Sequence, residues 1–234
     1  MHRNAARPVR LLLALGLALL LLAAGHSRAA AILFIGNSFT WYNNGLDKEL
    51  EALAPGTVTA RVVAGGYTLE QHWNEGKALQ KLRERKWDYV VLQEQSQTPV
   101  FDARKYHDYA RRLGEEIRRS GARTILLMTW ERPDSVKQGV TTANLAASVN
   151  ALGSRLGVKI APAGLAFAHS LQRRPGLPLT VEDGHPTVAG SYLAACVLSG
   201  TLFGRSAEGI GYADRGIAAD IRDHLQRVAA EYLR

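Results

Sequence analysis

The segment Ala31-Ile-Leu-Phe-Ile-Gly-Asn-Ser38 is an apolar run of strand length that ends in a glycine and two polar residues. Four more apolar runs of similar length follow, at residues 58–63, 89–92, 124–128 and 158–161. Continuous runs of this kind are typical of strands whose two faces are both buried in a parallel sheet. The pattern therefore predicts five such strands, beginning with residues 31–35.

Amphipathic stretches of helical length separate and follow these runs. Their apolar stripes are Tyr106, Tyr109, Ala110, Leu113 and Ile117; Leu145, Val149, Leu152 and Leu156; and Ile217, Ile221, Leu225 and Val228. Gly121 and Gly157 stand where two of the helices should end before a strand. Strands that alternate with helices predict an α/β fold, a three-layer α/β/α sandwich around a central five-stranded parallel sheet.

The composition is that of an ordinary globular protein. Of 234 residues, 47% are hydrophobic and 21% charged, and there is one cysteine, which excludes a disordered chain and a disulfide-stapled mini-domain. Because the alternation of strands and helices never restarts, residues 30–234 are predicted to form a single domain. Cys196 lies in an apolar helical stretch and is interpreted as a buried structural thiol.

Residues 1–29 have the layout of a secretory signal peptide. Arg3, Arg7 and Arg10 precede an apolar run over residues 11–24, and Ser27 and Ala29 suit a cut after Ala29. The apolar run is short for a membrane-spanning helix, which needs about 20 residues. We therefore expect a secreted or periplasmic protein without stable membrane association after cleavage, the alternative being an uncleaved N-terminal anchor.

Removing that segment changes the charge argument. Residues 1–29 carry four arginines and no acidic residue, so the net charge of +8 falls by four to +4. The remaining basic residues are mixed with acidic ones along the predicted helices, as on solvated helix faces. A nucleic-acid partner is therefore not expected.

Candidate chemical groups follow the strands, at the carboxyl edge where ligand sites of such sheets gather. Ser38 follows the first strand and is interpreted either as an exposed nucleophile whose backbone N–H faces an anion, or as a helix N-cap. Gly65 and Gly66 follow the second strand and permit a tight turn. After the third strand, the amides of Gln95 and Gln97 are candidate donors to an oxyanion.

The last candidate group precedes the final apolar helix. His185 follows Glu182 and Asp183 closely, an arrangement that resembles a general base with its orienting acid. Nucleophile, base, acid and oxyanion donors thus follow separate strands of one predicted sheet. There is no HExxH, no CxxC and no glycine-rich phosphate loop, so neither a metal nor any other cofactor is predicted.

These residues resemble the blocks of the SGNH (GDSL-like) hydrolase superfamily over essentially the whole chain from residue 30. The segment Phe34-Ile-Gly-Asn-Ser-Phe-Thr40 is similar to the first block, with Ser38 as nucleophile and Asn37 where many members have Asp. Gly66-Tyr-Thr68 is similar to the second block, whose glycine N–H contributes to the oxyanion hole together with the nucleophile's own N–H. The resemblance implies a flavodoxin-like sheet and ester hydrolysis by serine catalysis.

Two blocks depart from the usual pattern. The third block usually reads Gly-x-Asn-Asp, and here Gln97 falls at the Asn position. The Gln-rich sequence of this segment resembles that of a subgroup of secreted bacterial members. The last block is usually Asp-x-x-His, a spacing that fits Glu182, whereas Asp183 fits by residue type. Asp183 is the preferred acid of the two.

The expected function is that of a secreted serine esterase that hydrolyses a small acyl ester, acetyl, on a carbohydrate through a Ser-His-Asp/Glu triad and an acyl-enzyme. Trp41, Tyr42, Trp73 and Trp130 lie near the predicted strand ends as candidates for a sugar platform, with a core role as the alternative for Trp73 and Trp130. Two other functions remain open: a catalytically degenerate glycan-binding protein, and an O-acyltransferase that uses the same triad.

Overall fold

The computed structural model describes residues 29–212 and 216–233. The predicted signal peptide lies outside the described residues except for Ala29, so it stays a prediction. Within the described part of the chain, no helix is long and apolar enough to cross a membrane.

Five parallel strands form the central sheet. They are β1 (Ala31–Gly36), β2 (Val58–Val63), β3 (Tyr89–Leu92), β4 (Arg123–Leu127) and β5 (Lys159–Ala161), in the order β2-β1-β3-β4-β5. All four neighbouring pairs are parallel. The α/β sandwich predicted from the sequence is confirmed, with each strand within one residue of its predicted bounds.

Helices cover both faces of the sheet. They are α1 (Ser38–Trp41), α2 (Leu46–Leu53), α3 (Leu69–Glu75), α4 (Lys77–Arg83), α5 (Thr98–Phe101), α6 (Ala103–Arg119), α7 (Thr142–Leu156), α8 (Ala163–Arg173), α9 (Val188–Phe203) and α10 (Ala219–Ala230), with a 3-10 turn at Val136–Gln138. Gly157 caps α7 in the left-handed conformation, as predicted, and Gly121 has φ +85° just beyond the end of α6.

Two hydrophobic clusters lie on opposite faces of the sheet. Ile32 and Phe34 of β1 pack with α2, α8, α9 and α10, whereas Leu33 and Ile35 pack with α3, α4, α6 and α7. Every residue of β1 is buried, in agreement with its continuous apolar run. The same expectation is wrong for β2, where no residue is fully buried, because β2 is an edge strand and one of its sides has no neighbouring strand.

The strand order reverses direction between β1 and β3. From β1 the chain moves outward to β2, then returns to the other side of β1 to form β3. The loops that follow β1 and β3 therefore separate at the carboxyl edge and leave a crevice there. This topological switch point is where open α/β sheets bind their ligands.

Candidate active site

Three polar side chains meet at the carboxyl edge of the sheet. Ser38 opens α1 directly after β1, and His185 lies 147 residues later, in the loop before α9. His185 Nε2 lies 2.9 Å from Ser38 Oγ, and His185 Nδ1 lies 2.9 Å from Asp183 Oδ1. A hydroxyl, an imidazole and a carboxylate linked in this order can carry a proton away from the hydroxyl.

The acid of this relay reaches the histidine through a tight turn. Asp183 Oδ1 accepts hydrogen bonds from both the backbone N–H of His185, at 3.0 Å, and ring atom Nδ1. These two bonds, the backbone bond first, hold the pKa of Asp183 below its usual value. Glu182 makes no hydrogen bond to His185, so of the two carboxylates that the sequence offered only Asp183 binds the histidine in this structure.

The turn itself is held from outside. Gly184 has φ +83°, and a Cβ there would lie 2.4 Å from Cγ of Arg132, so Arg132 packs directly against the glycine. The indole N–H of Trp130 donates to the Gly184 carbonyl at 3.0 Å, and Asn43 Nδ2 donates to the Pro186 carbonyl at 2.7 Å. These side chains position the turn from the β4 and α1 sides.

Asn37, and not Ser38, caps the first helix. Asn37 Oδ1 accepts from the backbone N–H of Phe39 at 3.1 Å, so the N-cap interpretation of Ser38 is wrong. The amide nitrogen of Asn37 also donates to the Tyr67 carbonyl at 2.9 Å, which ties the nucleophile loop to the Gly66 turn. An aspartate, common at this position in the superfamily, could not make that second bond.

A buried glutamine fixes the nucleophile loop from the other side. Gln93 Oε1 accepts from the backbone N–H of Asn37 and from Oγ1 of Thr40, both at 2.9 Å. A Cβ on Gly36 would lie 2.5 Å from that oxygen, so only glycine permits this approach. The loop that carries Ser38 is therefore held by hydrogen bonds on both sides, to the Tyr67 carbonyl on one side and to Gln93 on the other.

Two backbone N–H groups are available to donate hydrogen bonds to an anion. Gly66 has φ +71°, and the Tyr67 N–H bonds to the Ala64 carbonyl at 3.2 Å, as in a type II turn. Within residues 29–212 and 216–233, neither the Ser38 nor the Gly66 amide donates a hydrogen bond. Both are the donors that the sequence analysis named.

The two candidate glutamines differ in their bonding. Gln95 Oε1 accepts from the N–H of Gln97 and the N–H and hydroxyl of Thr98, so its side chain organises its own loop. Gln97 is the N-cap residue of α5, is half-buried, and makes no side-chain hydrogen bond to the rest of the described chain. Gln97 is therefore the better candidate for a side-chain donor to an oxyanion.

Aromatic rings surround the histidine. Tyr42 stacks on the His185 ring, with centroids 4.6 Å apart, and Phe39 meets it edge-on at 5.4 Å. Trp41 adjoins Tyr42 and is 40% exposed, so these two residues form an aromatic surface beside the relay. We call Trp41 and Tyr42 the aromatic pair.

The other two tryptophans pack into the core, Trp130 completely and Trp73 in part, so the expected place in a sugar platform is wrong for Trp130. Trp130 is 1% exposed, stacked between Phe39 and Phe167. Trp73 packs half-buried in the cluster on the α6 face, under the guanidinium of Arg112. Both positions satisfy the core alternative, because large rings near strand ends fill the space between sheet and helices as readily as they face a ligand.

Sequence reasoning missed several residues that shape the site. Gln93 lies inside the Gln-rich segment that the sequence analysis identified. The sequence alone does not distinguish a buried glutamine that accepts hydrogen bonds from an exposed glutamine that donates them. The pair Asn43-Asn44 before Gly45 is a turn signal, and both residues have positive φ. Nothing in the sequence signalled that Asn43 or Arg132 would contact the histidine loop.

Elsewhere the described residues offer no competing site of this kind. No group of three or more His, Cys, Asp or Glu that could hold a metal ion occurs among them. A cavity of about 540 Å³ lies at the opposite edge of the sheet, with Arg118, Arg123, Arg155 and Lys159 in its lining. Arg118 and Arg155 are in the last turns of α6 and α7, where a cation complements the helix dipole.

Comparison with solved structures finds clear relatives. A candidate SGNH hydrolase from Slackia heliotrinireducens is 29% identical, with a TM-score of 0.65 over 74% of this chain and 99% of that one. The protein belongs to the SGNH hydrolase superfamily. This similarity supports a hydrolase of that superfamily.

Other solved structures share its fold at lower identity. A DUF4886 family protein from Bacteroides uniformis is 19% identical, with a TM-score of 0.68 over 87% of this chain and 94% of that one. A mutant of Axe2, an acetyl-xylooligosaccharide esterase from Geobacillus, is 17% identical, with a TM-score of 0.53 over 75% of this chain and 94% of that one. No family model and no characterised protein sequence matches the chain.

This SGNH hydrolase differs from the usual blocks in two places that the structure explains. Asp183, the carboxylate that contacts His185, lies two residues before it instead of three, and the positive φ of Gly184 lets the carboxylate reach the ring over the shorter path. The third block has glutamines in place of Asn, and Gln93 uses its side chain to hold the nucleophile loop.

Proposed function

We propose that this SGNH hydrolase is a secreted or periplasmic serine esterase that removes a small acyl group, acetyl, from a carbohydrate. The observation that carries the proposal is the continuous relay from Ser38 Oγ through both nitrogens of His185 to Asp183, with both links at 2.9 Å. Ser38 and His185 are 147 residues apart in sequence. A surface histidine without a function would not be expected to contact both a hydroxyl and a carboxylate.

In the first half of the reaction, Ser38 Oγ attacks the ester carbonyl carbon while its proton passes to His185 Nε2. The carbonyl oxygen becomes an oxyanion, which the N–H groups of Ser38 and Gly66 and the side-chain amide of Gln97 bind. The bond between the carbonyl carbon and the sugar oxygen then breaks, and that oxygen takes the proton from His185 to leave as a hydroxyl. Asp183 stabilises the imidazolium throughout, because it remains ionised.

In the second half, water replaces the sugar. His185 Nε2 takes a proton from the water as the water oxygen attacks the acyl-enzyme carbonyl. The tetrahedral intermediate collapses, the Ser38–acyl bond breaks, and Ser38 Oγ recovers the proton from His185. Losing one oxyanion donor typically slows such a reaction by a factor of about 100 to 1,000.

The substrate class is inferred from the surface and from the N-terminal sequence. The aromatic pair lies beside His185, and exposed aromatic rings suit the apolar faces of sugars. The signal-like layout of residues 1–29 favours export, where an extracellular polymer is accessible. Axe2, which shares the fold, is described as an acetyl-xylooligosaccharide esterase.

The test compares wild-type protein with Ser38→Ala on p-nitrophenyl acetate, p-nitrophenyl butyrate and acetylated xylan. We expect preference for acetyl, release of acetate from the xylan, and a loss of activity of about 10⁴-fold or more in Ser38→Ala. Ser120→Ala is the matched control, because Ser120 follows the end of α6 beside the amino end of β4, at the edge of the sheet opposite the relay. Absence of turnover in folded wild-type protein would refute the small-acyl esterase and favour the glycan-binding alternative.

The carbohydrate part of the proposal has its own test. Trp41→Ala should raise KM for acetylated xylan about fivefold and leave KM for p-nitrophenyl acetate within about twofold, since one stacking contact contributes roughly 1 kcal/mol. Equal effects on both substrates would contradict a sugar platform. If added sugar acceptors collect the acetyl group in place of water, the enzyme is an O-acyltransferase.

A further inference from the structure

Two consecutive buried side chains follow β3 and bind different loops. Gln93 accepts hydrogen bonds from the nucleophile loop at Asn37 and Thr40. Glu94, which is 3% exposed, accepts from the backbone N–H of Leu69 at 3.2 and 3.3 Å and from that of Gln95 at 2.7 Å. The carboxylate of Glu94 therefore links the loop after β2 to the loop after β3.

Each loop that Glu94 binds carries a donor of the proposed oxyanion hole. Leu69 is three residues after Gly66, and Gln95 is two residues before Gln97. On its other side the Gly66 turn is held by Asn37, whose amide donates to the Tyr67 carbonyl. The turn is thus fixed between the nucleophile loop and Glu94.

Keeping a carboxylate at this position is costly. Burial raises the pKa of Glu94 to about 7, although the two backbone amides that it binds act in the opposite direction. Glu70 in the first turn of α3 adds to the increase, whereas Lys105 of α6, which pairs with Glu70 at 3.2 Å, opposes it. Tyr106 of α6 is the other titratable group nearby, and it is buried.

We propose that Glu94 is a positioning residue of the oxyanion hole, whose carboxylate fixes the Gly66 N–H and the Gln97 amide relative to Ser38. This inference rests on the proposed serine esterase function. The ionised group offers acceptor oxygens to both loops at once. A protonated carboxyl turns one oxygen into a donor, so the link weakens when Glu94 takes up a proton.

Activity should therefore depend on the ionisation of Glu94 as well as on the relay. On the acid side, wild-type kcat/KM should fall more steeply with decreasing pH than a single protonation allows. Glu94→Gln, like the protonated carboxyl, has one acceptor oxygen, but it does not titrate. Above pH 8 its kcat should therefore be that of wild type with Glu94 protonated, and its acid limb should have the slope of one protonation. This difference is not expected from a purely structural role.

The experiment measures kcat and KM of wild type, Glu94→Ala, Glu94→Gln and Glu70→Gln on p-nitrophenyl acetate from pH 5.5 to 9. Glu70→Gln is the matched control, a carboxylate one residue from Leu69 that does not bind its N–H. We expect kcat of Glu94→Ala to fall about 10- to 100-fold with KM within about threefold. Glu94→Gln should lose up to about fivefold in kcat above pH 8. Glu70→Gln should keep the wild-type kcat there, with its acid limb at a lower pH, because the Glu70 charge contributes to the raised pKa of Glu94.

The outcomes separate this inference from the function on which it rests. Activity that is lost in Ser38→Ala but unchanged in Glu94→Ala, with the same pH profile, overturns the positioning role alone. If circular dichroism shows that Glu94→Ala does not fold, Glu94→Gln decides: an acid limb identical to that of wild type overturns the proposal. Wild-type protein without esterase activity refutes the proposed function first.

Discussion

Asp183 uses one oxygen both to close its own turn and to hold the ring of His185. The short side chain of aspartate suits this double contact two residues before the histidine. Glu182 has the spacing usual for the superfamily but makes no hydrogen bond to His185. At this position the reach of the side chain and the local turn outweigh sequence spacing.

Asp183→Asn should therefore lower kcat/KM on p-nitrophenyl acetate by about 10³- to 10⁴-fold, because an amide neither fixes the tautomer of His185 nor stabilises its cation. Glu182→Gln is the matched control and should change kcat/KM less than threefold. A larger loss in Glu182→Gln than in Asp183→Asn would show that the acid has been assigned to the wrong residue.

Asn37 provides a second prediction at the residue scale. Asn37→Asp preserves the shape and the cap to Phe39 but replaces a donor by a buried carboxylate oxygen facing the Tyr67 carbonyl. We expect a loss of about 1–3 kcal/mol in the free energy of unfolding, measured by urea titration. Asn44→Asp, at an exposed position of the same segment, should change it by less than about 0.5 kcal/mol.

At the scale of elements, the histidine loop is held between two rigid supports. Its start pairs with its end, through a bridge between Thr180 and Pro186, and α9 begins at Val188 with Thr187 as its cap. Most of α9 is buried, so the loop enters the molecule at a fixed point. Trp130 and Arg132, from the segment after β4, support its outer side.

Gly184→Ala tests this element. The left-handed conformation costs a non-glycine residue about 1–2 kcal/mol, and the new Cβ would collide with Arg132. We expect kcat/KM to fall about 10- to 100-fold, because a displacement of about 1 Å suffices for such a loss. Gly176→Ala, with no atom within 4 Å of its new Cβ, should leave activity unchanged; equal activity in both variants would contradict a role for the turn conformation.

At the scale of the whole molecule, the buried histidines link folding to pH. His72 Nε2 lies 2.7 Å from the Gly36 carbonyl at the end of β1, and burial lowers the pKa of His72. The unfolded chain takes up a proton below about pH 6.5 while folded His72 does not, so stability is lost as the pH falls. Glu94, whose pKa is raised, contributes a slope of the opposite sign.

His72→Gln should reduce the acid loss, since an amide can donate to Gly36 without titrating. We expect the variant to lose about 1 kcal/mol less than wild type in the free energy of unfolding between pH 7.5 and pH 5. Urea titrations at both pH values measure this difference. The same loss in both proteins would show that His72 does not contribute to the pH dependence.

The sequence by itself determined the sheet, the helices around it and the edge at which the site lies, because burial on both faces requires continuous apolar runs and parallel strands end together. It also named Ser38, His185 and Asp183, since a glycine-serine turn after a strand and a histidine beside acids are local patterns. Only the tertiary structure decided which residues come into contact. It brings Asp183 and not Glu182 to His185, buries Trp130 in the core, and makes Gln93 and Glu94 the hydrogen-bond acceptors of neighbouring loops. Hydrogen bonds act over about 3 Å, and the folded backbone sets distances on that scale between residues far apart in sequence.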